Sequence, residues 1–135
     1  ECSAVLCDLG SACSLPGGQW PSEEVSGSPS HMPPEAWEPG PADTSRDVWS
    51  LGVILFQLLA GSLPSTVLNA AQSGDYKGLI THSFNIEADP RFPLLEASVP
   101  VLASLIRGMM DPDPTTRTSL DHALQVVVDF AEEYA

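Results

Sequence analysis

Between Val48 and Ala60 the chain runs thirteen residues without a charge, bracketed by Asp47 and Gly61. Thr44 or Ser45 is placed to cap a helix there, Asp47 suits its electropositive start, and Gly61 suits a left-handed stop. A helix over 45–60 is a rod of about 24 Å. Its large apolar side chains fall on every side and do not line up in one stripe. The predicted place for such a rod is the centre of a helical domain, with Trp49, Leu55 and Phe56 in the core. The uncharged stretch continues to Gly74, long enough to raise the question of a membrane span. However, Gly61, Pro64, Ser65, Thr66, Asn69 and Gln72 interrupt it, and about sixteen apolar-rich residues fall short of the roughly twenty needed. A buried core helix is the reading.

Shorter elements surround the rod. Ser3–Cys7 is apolar and predicts a buried strand stopped by Asp8-Leu9-Gly10, and Ser11–Leu15 suits a second short strand. Residues 16–46 hold seven prolines and four glycines and predict a long loop, in which only Met32–Trp37 suits a helical turn. Ser65–Ser73 predicts a short helix closed by Gly74, and 75–97 a region that is mainly loop. Ser98 is placed to cap a helix carrying Pro100 in its first turn and Leu102, Leu105, Ile106 and Met109 on one face. Thr118 and Asp121 read as a capping pair for a last helix, with Leu120, Ala123, Leu124, Val127, Ala131 and Tyr134 as its apolar stripe.

Charge narrows the partners. Five basic against eighteen acidic residues give −13, which leaves no footprint for nucleic acid or an anionic membrane. With 43% hydrophobic and 17% charged residues, wholesale disorder is excluded. A chain of 135 residues suits one domain or part of one. Cys2, Cys7 and Cys13 crowd the first thirteen residues without a metal-site spacing and predict free thiols in a reducing, cytoplasmic compartment. The chain starts at Glu1 with neither methionine nor signal peptide, so a fragment is expected.

Four signatures in this order resemble the C-terminal part of a eukaryotic protein kinase catalytic domain. Asp8-Leu9-Gly10 looks like the metal-binding D-F-G motif with Leu for Phe. Gly27-Ser28-Pro29 followed by His31-Met32-Pro33-Pro34-Glu35 looks like G-T-x-x-Y-M-A-P-E. Asp47-Val48-Trp49-Ser50-Leu51-Gly52 matches the D-V-W-S-L-G helix start, and Asp111-Pro112 with Arg117 resembles D-P-x-x-R-x-S with two extra residues. The match spans nearly the whole chain. It implies a mainly α fold: a truncated kinase C-lobe with a short strand and activation segment on its N-terminal side. Residues 1–35 would be metal-binding turn and activation segment, and 36–135 the helical lobe.

The resemblance also implies roles. Asp8 would hold magnesium and, through it, ATP, because clustered phosphates need a fixed carboxylate and metal beside them. Gly27, Ser28 and Pro29 would dock the peptide substrate, the hydroxyl of Ser28 pointing to a serine/threonine kinase. Glu35 and Arg117 would form a buried ion pair, and Asp47 would reach back to the catalytic loop; all three are structural. Ser22 and Ser26 are candidate phosphosites in the activation segment, with Arg46 the nearest basic residue to receive a phosphate. His31 stands where tyrosine is usual and is expected to pack or lie on the surface.

Other parts of that machinery are not in this sequence. A glycine-rich loop, a strand lysine and an H-R-D loop are lacking, and the single lysine, Lys77, follows the central helix. The catalytic base is expected upstream, with the nucleotide lobe as a partner in cis. By itself the chain is expected to be inactive and to leave apolar surface uncovered. The implied function is phosphoryl transfer from ATP to protein Ser/Thr by the complete domain. Two alternatives stay open: a pseudokinase scaffold that binds partners without chemistry, and an unrelated helical interaction domain. Oligomeric state cannot be read from the sequence.

Overall fold

The longest helix forms where charge is lacking. In a computed structural model, which describes residues 2–14, 20–22 and 27–134, α1 spans Ser45–Ala60. Neither Thr44 nor Ser45 caps it with a side chain; the Asp43 carboxylate does, accepting from the Ser45 amide at 2.8 Å. Gly61, at φ 88°, closes it by donating to the Gln57 carbonyl at 2.9 Å.

The helix is buried on one side. Val48, Trp49, Gly52, Val53 and Phe56 are buried, whereas Leu51, Ile54 and Leu58 are exposed. The rod is thus the hub of the lobe on one face only, because no described element covers the other. Gly52 marks the closest approach: a Cβ there would stand 2.8 Å from Met110 Cγ and 3.0 Å from Met109 Cβ.

After α1 come α2 (Ser65–Ser73), α3 (Tyr76–His82), α4 (Phe92–Ser98), α5 (Pro100–Met109) and α6 (Leu120–Glu133). The predicted loop over 75–97 therefore holds α3, a 3-10 turn at Ile86–Ala88, and α4. These pieces are too short to hold a helix by themselves. Burial of Ile80, Ile86, Phe92 and Leu95 in the main core supports them, and the Asp75 carboxylate caps α3 through the Gly78 amide at 3.0 Å. Ser98 ends α4 and does not cap α5, which follows after Val99.

Ser119, not Thr118, caps α6, accepting from the His122 amide at 3.2 Å. Thr118 turns instead to α5, its amide donating to the Gly108 carbonyl at 3.0 Å. The predicted stripe of α6 is also displaced. Ala123 is buried, with Val126 and Phe130 partly covered, while Leu120, Leu124, Val127 and Tyr134 lie exposed.

On the N-terminal side Ser3–Cys7 has no regular structure and is exposed. A strand needs a neighbour to take its hydrogen bonds, and no described residue pairs with it. Ser11 closes a 3-10 turn over Leu9–Ser11, so a strand does not begin there. Two strands form elsewhere: β1 (Trp20–Ser22) and β2 (Gly40–Ala42) pair antiparallel, with Trp20 opposite Ala42 and Ser22 opposite Gly40. A proline in each limits the pair to a short ribbon. Further 3-10 turns at Pro29–His31 and Pro34–Trp37 lie between them.

Candidate functional site

The helical hub gathers residues far apart in the chain. Glu35 sits in the 3-10 turn Pro34–Trp37, which proline starts, and Arg117 sits in the loop between α5 and α6. Arg117 Nη1 donates to Glu35 Oε1 at 2.6 Å and Nη2 to Oε2 at 3.0 Å, a two-pronged pair. Nη1 also donates to the Ser45 carbonyl at 3.0 Å, and Nε to the Asp111 carbonyl at 3.0 Å. The guanidinium lies over the Trp49 ring, 5.2 Å from its centroid. With its side chain 0% exposed, this cation survives burial because nearly every N–H finds an acceptor. One side chain thereby ties the Pro34–Trp37 turn, the start of α1 and the Asp111 loop together.

Neighbouring contacts extend the clamp. Ser50 Oγ on α1 donates to the His31 carbonyl at 2.8 Å, while the His31 ring meets Ser30 Oγ at 2.8 Å. Trp37 stacks on Tyr76 of α3 with centroids 5.9 Å apart. The turn at Pro29–His31 is thereby held against α1 and the turn at Pro34–Trp37 against α3.

Gly27, Ser28 and Pro29 form an exposed edge of that stretch. Gly27 adopts φ +124°, where an added Cβ would meet Met32 Cγ at 3.3 Å, so the backbone bend requires glycine. The Ser28 carbonyl accepts from the His31 amide at 2.9 Å and starts the 3-10 turn. Asp47 is exposed in the first turn of α1 and makes no side-chain hydrogen bond among the described residues.

Asp8 is exposed at φ 58°, the only non-glycine residue at positive φ among the described residues. Left-handed backbone is uncommon outside glycine, aspartate adopts it more readily than most residues, and such positions gather at turns and functional sites. The structure does not join Asp8 to the Glu35–Arg117 clamp. No group of three or more His, Cys, Asp or Glu converges among the described residues. Asp8 thus offers one carboxylate, which suits a magnesium ion held mainly by water and phosphate oxygens. Ser26 lies outside the described residues. Ser22 falls in β1, opposite Gly40. Arg46 donates to the Pro41 carbonyl in β2 at 3.3 Å, and its Nε is buried without a partner among the described residues. Cys2, Cys7 and Cys13 are free and exposed.

Sequence reasoning missed a second clamp. Arg91 Nε donates to Asp89 Oδ1 at 3.0 Å, and its Nη2 donates to Asp89 Oδ2 at 3.1 Å and to the Leu63 carbonyl at 2.8 Å. The Ser65 amide donates to Asp89 Oδ2 at 2.7 Å, so the buried carboxylate also anchors the start of α2. Burial alone would raise the Asp89 pKa, yet the bonds from Arg91 and from backbone amides outweigh it and hold it down to about 2. The Asp-Pro-Arg run was the available signal. An open cleft of about 710 Å³ between α5 and α6 is lined by none of the sequence-predicted site residues.

A buried arginine–carboxylate pair fastening a proline-rich segment to the N-terminus of a long apolar helix, in a lobe of helices, defines the C-terminal lobe of a protein kinase fold. The family model described as "Protein kinase domain" matches residues 3–128. The chain belongs to the protein kinase family, whose described relatives include serine/threonine kinases. It is 36% identical over 100 residues to "CBL-interacting protein kinase 20" of Oryza sativa subsp. japonica, covering 73% of this chain and 19% of that protein. It is 34% identical over 121 residues to "Protein lin-2" of Caenorhabditis elegans, covering 88% of this chain and 12% of that one. With "Serine/threonine-protein kinase fused" of Drosophila melanogaster it shares 30% over 119 residues, covering 86% and 13%. The chain thus spans less than a fifth of each of these relatives. No single described helix is long and apolar enough to cross a membrane; α1 and α2 together have the length but bend by 105°.

Proposed function

We propose that this chain is the C-terminal segment of a serine/threonine protein kinase domain that transfers the ATP γ-phosphate to protein Ser or Thr. The nucleotide lobe and the catalytic base belong to a part of the domain that this chain does not contain. The observation that carries the reading is the Arg117–Glu35 pair seated on Trp49 of α1. The uncovered Leu51, Ile54 and Leu58 face of α1 supports it, since further helical structure of the same domain would bury that face.

Within this reading Asp8 holds magnesium beside the nucleotide, and the ion supplies neutralisation of phosphate charge. Gly27, Ser28 and Pro29 form the edge against which substrate backbone lies. Glu35 and Arg117 fix that edge, and Asp47 steadies the loop bearing the base. Ser22 and Ser26 take regulatory phosphate. The compartment is the cytoplasm, in keeping with three free thiols.

A second reading has its own support. Leu9 replaces the aromatic residue of the D-F-G motif and stands 68% exposed, which suits a kinase-like scaffold without chemistry. The test is phosphate transfer from labelled ATP by the longer chain that carries this segment. The kinase reading expects transfer to Ser or Thr, loss of transfer in Asp8→Asn, and none by the 135-residue chain alone. A longer chain that folds but neither binds ATP nor transfers phosphate establishes the scaffold.

A further inference from the structure

The last helix carries an apolar face that its own fold leaves unused. Through Ala123, Val126 and Phe130, α6 packs on Leu102, Leu105 and Met109 of α5. Leu120, Leu124, Val127 and Val128, at helical spacings of four, seven and eight, make a separate stripe beside that seam. All four are exposed, Leu124 by 61%. Next to Val128 the helix turns acidic through Asp121 and Glu132, with Asp129 farther round, and α6 contains no lysine or arginine.

Charge selects the occupant. A second copy laid on this face would bring acid against acid. An anionic membrane would be repelled, since helices that lie on such surfaces carry lysine and arginine on their polar face. We propose that the stripe docks a basic amphipathic helix of a protein partner. Its apolar seam covers Leu124, Val127 and Val128, and its lysine or arginine flank faces Asp121 and Glu132. This is a helix-on-helix mode, in which apolar anchors supply affinity and the charged edge sets register and partner choice.

The probe is a short synthetic peptide of leucine and lysine with leucine at helical spacing, titrated into the full chain by calorimetry. Binding is expected, together with a gain of peptide helicity and weakening as salt is raised. Leu124→Glu should weaken it by about tenfold or more, equivalent to at least about 1.4 kcal/mol. Asp121→Lys with Glu132→Lys should weaken it while leaving the helix content intact. Leu58→Glu, on the separate exposed face of α1, should leave it unchanged. The proposal is overturned by equal affinity for the same peptide with glutamate for lysine, or by Leu124→Glu leaving binding intact while Leu58→Glu removes it. It is overturned equally by a dimer of the chain that Leu124→Glu disperses, or by vesicles of anionic lipid binding the stripe.

Discussion

Arg117 and Glu35 stand 82 positions apart and meet through two hydrogen bonds of 2.6 and 3.0 Å over the face of Trp49. Removing the guanidinium leaves two carbonyls and a largely buried carboxylate, its side chain 21% exposed, without their donor. Arg117→Ala should therefore lose about 3–5 kcal/mol of stability. Arg117→Lys keeps the charge but not the fork and should recover only part of it. Urea unfolding followed by tryptophan fluorescence measures both, and a loss below about 1 kcal/mol in Arg117→Ala would contradict the assignment.

Asp89 makes stability depend on acid. Its pKa lies at about 2 in the folded chain, against 3.8 for an ordinary aspartate. The folded state therefore holds on to the carboxylate's charge more strongly than the unfolded state does. The contribution, roughly 2 kcal/mol, is complete above the unfolded value and drains away as pH falls from about 4 to 2. Asp89→Asn should be less stable at neutral pH and should show a flatter stability profile in that window. Equal profiles for the two chains would remove the argument.

Gly52 lets α1 and α5 approach. A methyl group there meets Met110 at 2.8 Å and Met109 at 3.0 Å, so Gly52→Ala should cost about 1–3 kcal/mol through overpacking despite alanine's better helix propensity. Shortening the neighbour in Gly52→Ala/Met110→Ala should restore part of the loss. Thermal melts of the single and double variants give the coupling, and simple additivity would mean the two sites do not touch.

Asp43 caps α1 from outside the helix. Asp43→Ala frees the Ser45 amide bonded at 2.8 Å and should lower stability by about 1 kcal/mol, while Thr44→Ala should change it by less. The reverse ranking in denaturant titrations would return the cap to Thr44.

What could be read from the chain was whatever depends on neighbours in sequence or on a spaced signature. The run from Val48 to Ala60 has the length, the acidic start and the closing glycine of one long helix, and those local signals placed it. The kinase signatures named Glu35 and Arg117 as a pair without any local signal joining them. What only the tertiary structure decided was which surfaces are covered and where weak segments order themselves. Ser3–Cys7 has strand composition but no neighbour to bond, so it stays irregular. Residues 76–82 and 92–98 lack strong periodicity, yet burial of Ile80 and Phe92 makes them helices. Asp89 and Arg91 read as loop residues until Leu63 and Ser65 are brought to them. Leu124 and Ala123 are both apolar on paper, and the face that α6 turns to α5 buries Ala123 and leaves Leu124 exposed. Burial belongs to pairs of surfaces, and a linear pattern lists the candidate surfaces without saying which two meet.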